Sequence, residues 1–277
     1  MLTGKTKNIG VIGYPIEHSL SPLMQNVAIA ESGLDYVYTA MLVEPDKIEE
    51  AIKGLRAINY RGVNVTIPHK INVIPFLDEI DDNAKMIGAV NTILFEKDRT
   101  KGFNTDSIGF IHSLFNHKVP IRGQHAMLLG AGGAARAVIW GLIKEGIASI
   151  TIGVRNPAKA QKLAEAFNAY LKIDVVNWES NVFDEKLANI SLLINATPLG
   201  MMPNIAEKPP IQWEKIKNRI VAYDLIYNPA ITAFLHEAQQ NGHQIINGAE
   251  MLVEQGAESF RIWTGIVPNT KKMLQIL

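Results

Sequence analysis

The chain has 277 residues, no cysteine, and 27 basic against 27 acidic side chains, so its formal net charge is zero. This excludes disulfides, thiolate catalysis and cysteine-based zinc sites, and leaves no basic field for nucleic acid or an anionic membrane surface. Apolar residues at 47% with 19% charged residues suit a soluble globular chain with a substantial core. No uninterrupted apolar stretch reaches membrane-spanning length, and without an apolar N-terminal segment the expected location is the cytoplasm. The seven histidines show no ligand spacing, so no metal site is expected.

In chain order, Asn8–Ile12 reads as a short strand ending at Gly13. Ser21-Pro22 reads as an N-cap with Pro at the first helical position, opening a helix that stops near Gly33. Tyr36–Leu42 is strand-like, and Asp46 is a candidate cap for a helix over Lys47–Ala57. Gly62–Ile67 is a strand stopped by Pro68, whose turn is expected to expose His69 and Lys70 at the strand's C-terminal edge, where open α/β sheets bind ligands. Further strands fit Ala89–Phe95 and Lys101–Asn104, with a helix starting near Asp106.

Ala126–Arg136 is the most informative segment: a buried strand, a glycine turn, then a helix. Gly130, Gly132 and Ala135 fill a G-x-G-x-x-A dinucleotide fingerprint. The first Gly permits the tight turn, the second lets backbone approach a pyrophosphate, and the small third residue lets helix pack on strand. Ala131, Gly133 and Ala134 complete the phosphate-binding loop at the helix N-terminus. The competing reading is an ordinary glycine turn. The context favours the fingerprint: Gln124–Leu129 has strand length, Ala134–Lys144 is rich in helix formers, Gly146 stops it, and Ser149–Val154 reads as a second strand.

The same rhythm continues. Asn156-Pro157 caps a helix reaching about Tyr170, Ser191–Asn195 is a strand entering the turn Ala196–Gly200, and Arg219–Tyr227 is another strand. Asn228-Pro229 opens a helix ended by Gly242; His243–Ile246 is a last strand, and Ala249–Trp263 an amphipathic helix. The expected fold is α/β with two domains. Residues 1–106 with 247–277 form a substrate domain, 107–246 a Rossmann-like dinucleotide domain, and the C-terminal helices return to pack on the first domain.

At the end of the second strand of such a fold an acid would hold both ribose hydroxyls, whereas an Arg would accept a 2′-phosphate. Here stands Val154-Arg155-Asn156-Pro157-Ala158-Lys159, with no acid. Arg155 and Lys159 point to NADP, with NAD as the alternative; the plainer reading is two solvated cations and a helix cap at Asn156.

Eight ordered segments then carry a resemblance. They are Ser19-Leu20-Ser21-Pro22, Asn64–Lys70, Gly88–Thr92, Asn104–Asp106, Gly130–Arg136, Asn195–Met201, Asp224–Pro229, and Asn247-Gly248 with Met251 and Gln255. Together they resemble the shikimate dehydrogenase family over nearly the whole chain. The resemblance implies reversible hydride transfer between NADPH and the C3 carbonyl of 3-dehydroshikimate, a step toward chorismate and the aromatic amino acids. It implies Lys70 as the acid–base group and Asp106 as its partner. Read alone, Lys70 is a surface lysine and Asp106 a helix cap. The resemblance further assigns Ser19, Ser21 and Tyr227 to the substrate carboxylate and Thr66, Asn91 and Gln255 to ring hydroxyls. It adds Thr197, Leu225 and Gly248 to the nucleotide side, with Thr197 and Gly248 near the nicotinamide; Gly248 reads equally as a turn residue. His69 receives no catalytic role and reads as packed or hydrogen-bonded.

The alternatives are a quinate/shikimate dehydrogenase using NAD or both nucleotides, and a non-catalytic NADP(H) sensor. Two serines in the Ser19–Ser21 pair lean toward shikimate, by analogy. Asn156 stands where the family commonly has Thr or Ser, which bears on NADP preference, and Ser107 stands where Gly is usual. The partners expected are a small-molecule substrate and, at most, a second copy of the chain.

Overall fold

The chain divides between Gly109 and Phe110 and again between Met251 and Leu252, giving two units in the computed structural model, which describes residues 2–277. It crosses from one unit to the other inside one helix and returns inside another.

The first unit holds β1 (Lys7–Gly13), α1 (Ser21–Glu31), β2 (Tyr36–Leu42), α2 (Ile48–Ala57), β3 (Gly62–Val65), α3 (His69–Asn72), β4 (Glu79–Ile80), α4 (Asp82–Ile87), β5 (Thr92–Phe95) and β6 (Thr100–Phe103). The strand order is β2-β1-β3-β5-β6-β4. β2, β1 and β3 are mutually parallel, while β5 runs antiparallel to both β3 and β6. That reversal places the end of β3, the start of β5 and the end of β6 at one edge, because Asn64 pairs with Thr92 and Thr92 with Phe103.

The crossing helix α5 (Asp106–Asn116) leads into the second unit: β7 (His125–Leu129), α6 (Gly133–Lys144), β8 (Ser149–Val154), α7 (Pro157–Glu165), β9 (Asp174–Asn177), α8 (Asn181–Leu187), β10 (Leu192–Asn195), β11 (Val221–Asp224), α9 (Ala233–Gln240) and β12 (Gln244–Ile246). All its strands are parallel in the order β12-β11-β10-β7-β8-β9. Counted from β7 this is the 3-2-1-4-5-6 doubly wound sheet, whose strand order reverses between β7 and β10. Such strands are covered on both faces, which is why β10 and most of β7 and β8 are uniformly buried.

The returning helix α10 (Ala249–Thr264) and α11 (Thr270–Leu274) complete the first unit. Val253, Ala257, Phe260, Trp263 and Met273 share one core with Ile9, Val11, Met24 and Tyr38. Gly62 is obligatory there: a Cβ would stand 2.1 Å from Trp263 Nε1, which donates to the Ile93 carbonyl at 2.9 Å.

Several local expectations are corrected. Ser21 is the first residue of α1 rather than its cap; Leu20 precedes it and no side chain caps the helix. Asp46 does not cap α2, because it sits in a separate one-turn 3₁₀ segment, Pro45–Lys47, ahead of it. The helix expected from Asn228 begins at Ala233, because the buried Thr232 hydroxyl accepts from Leu235 N–H at 3.3 Å while Asn228 is exposed. Asn156 does cap α7, accepting from Ala158 N–H at 3.1 Å, but that helix ends at Glu165. The short elements α3, β4, α4, β9, α8 and α11 have too few residues for a periodic signal.

Candidate active site

The edge where β3, β5 and β6 meet gathers Lys70, Asn91 and Asp106 of the first unit. Thr66 follows β3, and the turn through Pro68 opens the single turn of α3, which carries Lys70. Val90 N–H donates to the Lys70 carbonyl at 2.7 Å, fixing that turn against the entry to β5. Lys70 Nζ donates to Asp106 Oδ2 at 2.5 Å, with 18% and 8% of the two side chains exposed. Lys70 is therefore not the solvated surface lysine it resembles when read alone.

Asn91 is the hub beside them. Its side-chain amide donates to Asp106 Oδ1 at 2.7 Å and to Thr105 Oγ1 at 2.9 Å, and approaches Gln255 Oε1 at 3.4 Å. Its Oδ1 accepts from Thr105 N–H at 2.8 Å and from the Thr92 hydroxyl at 2.9 Å. Asp106 therefore has one oxygen on the amine and the other on a fixed amide, and Asn104 Oδ1 accepts from its backbone N–H. Gln255 and Ser259 lie four residues apart on one face of α10, and the Ser259 hydroxyl donates to the Gln255 carbonyl at 3.0 Å.

Behind this layer lies a second polar row. Asn64 donates to the Asn91 carbonyl at 3.1 Å, to Thr92 Oγ1 at 3.1 Å and to Ser259 Oγ at 2.9 Å. Its Oδ1 accepts from the Tyr38 hydroxyl at 2.8 Å. Burial pushes the Tyr38 hydroxyl far above its ordinary range. Ser21 is buried and Ser19 half-buried in the segment after β1, and Ser21 N–H donates to Ser19 Oγ at 3.3 Å. The structure thus joins Lys70, Asp106, Asn91 and Gln255 directly, and Tyr38 reaches them through Asn64 and Thr92. Tyr38, Asn64, Thr92, Thr105 and Ser259 carry no role in the sequence reading, although Asn64, Thr92 and Thr105 lie in singled-out segments and Ser259 follows Gln255 by one helical turn. His69 is fully buried, not exposed: its Nε2 pairs with the Val43 carbonyl at 2.8 Å, which turns the ring away from solvent.

In the second unit the glycine loop lies between β7 and α6. Gly130 has φ +99°, and a Cβ there would stand 2.9 Å from Thr197 Cγ2 and 3.1 Å from the Ala196 carbonyl. Only glycine fits this approach of the loops after β7 and β10. Gly132 and Gly133 face open space, and no side chain caps α6. An open glycine cradle at an uncapped helix N-terminus fits a pyrophosphate. Ala131, Gly133 and Ala134 are half-buried along the same loop, and Ala135 is fully buried against the sheet.

Thr197 is held in place: its N–H and hydroxyl both donate to Asn195 Oδ1, at 3.0 and 2.7 Å. Asn195 in turn donates to Asp224 Oδ1 at 3.1 Å. Burial pushes the Asp224 carboxyl up to about 6 despite its bonds from Thr232 at 2.6 Å, Ile226 N–H at 3.0 Å and Asn195. Leu225 and Tyr227 follow β11, both half-buried, and burial raises the Tyr227 hydroxyl. Gly248 cannot carry a side chain, since a Cβ would meet the Leu225 carbonyl at 2.1 Å. Arg155 and Lys159 are exposed at the end of β8 and the start of α7, two cations suited to a 2′-phosphate. Among the described residues no group of His, Asp and Glu could hold a metal ion, and no helix is long and apolar enough to cross a membrane.

Comparison with known proteins matches three family descriptions along the chain. These are the shikimate dehydrogenase substrate binding domain over residues 11–93, shikimate / quinate 5-dehydrogenase over 113–208, and the shikimate 5′-dehydrogenase C-terminal domain over 248–277. The NADP(+) shikimate dehydrogenase of Methanococcus aeolicus is 43% identical over 273 residues, covering 99% of this chain and 97% of that protein. A shikimate dehydrogenase solved in complex with NADP+ superposes with a TM-score of 0.93 at 41% identity, covering 100% of this chain and 96% of the other. The Listeria monocytogenes shikimate 5-dehydrogenase, solved with shikimate and NAD, gives a TM-score of 0.93 at 34% identity over 99% and 97% of the two chains. With substrate-side and nucleotide-side segments both matched, and full-length relatives above 40% identity, the chain belongs to the shikimate dehydrogenase family.

Proposed function

We propose that this chain is an NADP-dependent shikimate dehydrogenase, reversibly reducing 3-dehydroshikimate to shikimate in the route to chorismate. The observation that carries this reading is the half-enclosed Lys70–Asp106 pair, its carboxylate held on the far oxygen by Asn91. A nucleotide sensor has no use for such a pair. NADPH supplies the hydride, and NADP+ accepts it in reverse. As hydride reaches C3 the carbonyl π pair moves onto oxygen, and the Lys70 ammonium delivers the proton that quenches the alkoxide. The Lys70 amine then recovers a proton from solvent, and in the oxidative direction the same amine takes the hydroxyl proton. Asp106 holds the amine and accepts from the neighbouring substrate hydroxyl. A positioned acid–base group of this kind contributes about 10²–10⁴ in rate.

Asn91, Thr66 and Gln255 are the proposed donors and acceptors for ring hydroxyls. Ser19 and Ser21 are the proposed carboxylate contacts, with Tyr227 as a further one. Gly130–Ala134 would cradle the pyrophosphate, Arg155 and Lys159 would face the 2′-phosphate, and Thr197, Leu225 and Gly248 would flank the nicotinamide.

The deciding assay is reduced-nicotinamide absorbance with shikimate or quinate against NADP+ or NAD+. Turnover concentrated on shikimate with NADP+ is expected. Dominant quinate or NAD+ turnover would move the chain to the quinate branch of the family, and silence in all four combinations would leave a nucleotide-binding protein.

A further inference from the structure

The second polar row runs in one direction. Tyr38 O–H donates to Asn64 Oδ1 at 2.8 Å, Asn64 N–H to Thr92 Oγ1 at 3.1 Å, Thr92 O–H to Asn91 Oδ1 at 2.9 Å, and Asn91 N–H to Asp106 Oδ1 at 2.7 Å. Each group spends its proton toward the carboxylate, and Lys70 closes the row from the other side. Tyr38, Asn64, Thr92, Asn91 and Asp106 are all buried, and Lys70 is half-buried. Aligned chains of this kind polarise one another and hold each amide in one of its two orientations.

We propose that the Tyr38 hydroxyl is a positioning group for the proton-transfer pair, acting through Asn64, Thr92 and Asn91 to hold the Asp106 carboxylate and thereby Lys70. The roles of Lys70 and Asp106 in this statement rest on the functional reading above. Turning the Asn64 amide over would set its Oδ1 against the Asn91 carbonyl, now 3.1 Å from the amide nitrogen, and would free the Thr92 hydroxyl to turn away from Asn91. The Tyr38 proton is what makes the present orientation favourable at its outer end. Burial keeps that proton on the oxygen at every working pH.

Tyr38→Phe removes only the hydroxyl and leaves the ring packed beside Trp263, 6.1 Å between centroids. Loss of one directed hydrogen bond is expected to lower kcat about tenfold, with the Michaelis constant for NADP+ changed less than about twofold. Hydrogen exchange of the Asn91 side-chain amide, followed by NMR, is expected to speed up about tenfold. In an Asp106→Asn background the same Tyr38 substitution should change kcat by less than about twofold, because the group it acts through is gone. An equal loss in both backgrounds would mean a general structural role and overturn the proposal, as would unchanged Asn91 exchange. A wild-type protein with no turnover of shikimate would sink the functional reading, and the exchange measurement would still decide whether Tyr38 holds Asn91.

Discussion

Asn195 on β10 and Asp224 on β11 are register partners in the sheet, and their side chains are bonded at 3.1 Å beneath the loop that carries Thr197. Asp224 is fully buried, and its folded-state carboxyl titrates near 6 instead of 3.8. A folded state that holds its proton more tightly than the unfolded chain is favoured at low pH, and that advantage fades as pH rises through this window. A shift of about two units amounts to about 3 kcal/mol. Chemical denaturation of the wild type and Asp224→Asn across pH 3.8 to about 6 should show the wild type losing about that much relative to the variant. A difference between the two that does not vary with pH would refute the assignment.

Lys70→Ala should lower turnover by about 10²–10⁴ while NADP+ binding, read by fluorescence titration, stays within about twofold. Asp106→Asn should lower kcat in the same direction, because the amine loses its charged partner. Turnover that survives Lys70→Ala would end the acid–base assignment.

Two neighbouring glycines should respond differently to one added methyl. At Gly130 the backbone φ of +99° and the 2.9 Å approach of Thr197 make alanine costly, about 1–3 kcal/mol in stability. At Gly132 a Cβ meets nothing and φ is −82°, so the thermal midpoint should be unchanged. The added methyl would instead occupy the phosphate's space, and the Kd for NADP+ should rise about tenfold. Unchanged NADP+ binding in Gly132→Ala would show that the phosphates lie elsewhere.

Arg155→Ala should reduce kcat/KM with NADP+ by about tenfold or more and leave kcat/KM with NAD+ nearly unchanged, since only the former has a 2′-phosphate to lose. Equal losses with both nucleotides would assign Arg155 to the shared part of the cofactor. Asn156 contributes little to this contrast, because its side-chain oxygen is committed to the first turn of α7.

The second unit was the more legible half, since its signals are local. Ala126–Leu129 and Ile150–Val154 are strand-length apolar runs, and Gly130 sits one residue past the first of them. Lys70 and Asp106 were legible as positions through the motifs around them. Their environment was not, because it depends on β5 reversing direction beside β3, which no residue pattern in Gly62–Phe95 announces. Tyr38 and Ser259 are ordinary polar residues in sequence, and Asn64 and Thr92 stand in motifs that assign them no role; Asn64 and Ser259, 195 positions apart, meet only in the fold. His69 is packed and hydrogen-bonded as read, but not exposed by the Pro68 turn, because its partner is the backbone of Val43, 26 residues earlier.

The discontinuity of the first unit also bears on synthesis. Phe110–Met251 is one uninterrupted stretch, so the second unit has all its own strands before Leu252–Leu277 has been made. The other half begins earlier and finishes later. Until α10 arrives, Gly62 lacks Trp263, Asn64 lacks Ser259, and Asn91 lacks Gln255. A nascent chain stalled near residue 251 would carry Lys70 and Asp106 on an unsealed sheet edge, with apolar Ile9, Val11 and Met24 missing their helical cover. Chain order thus completes the parallel-sheet unit first and the enclosure of Lys70 and Asp106 last.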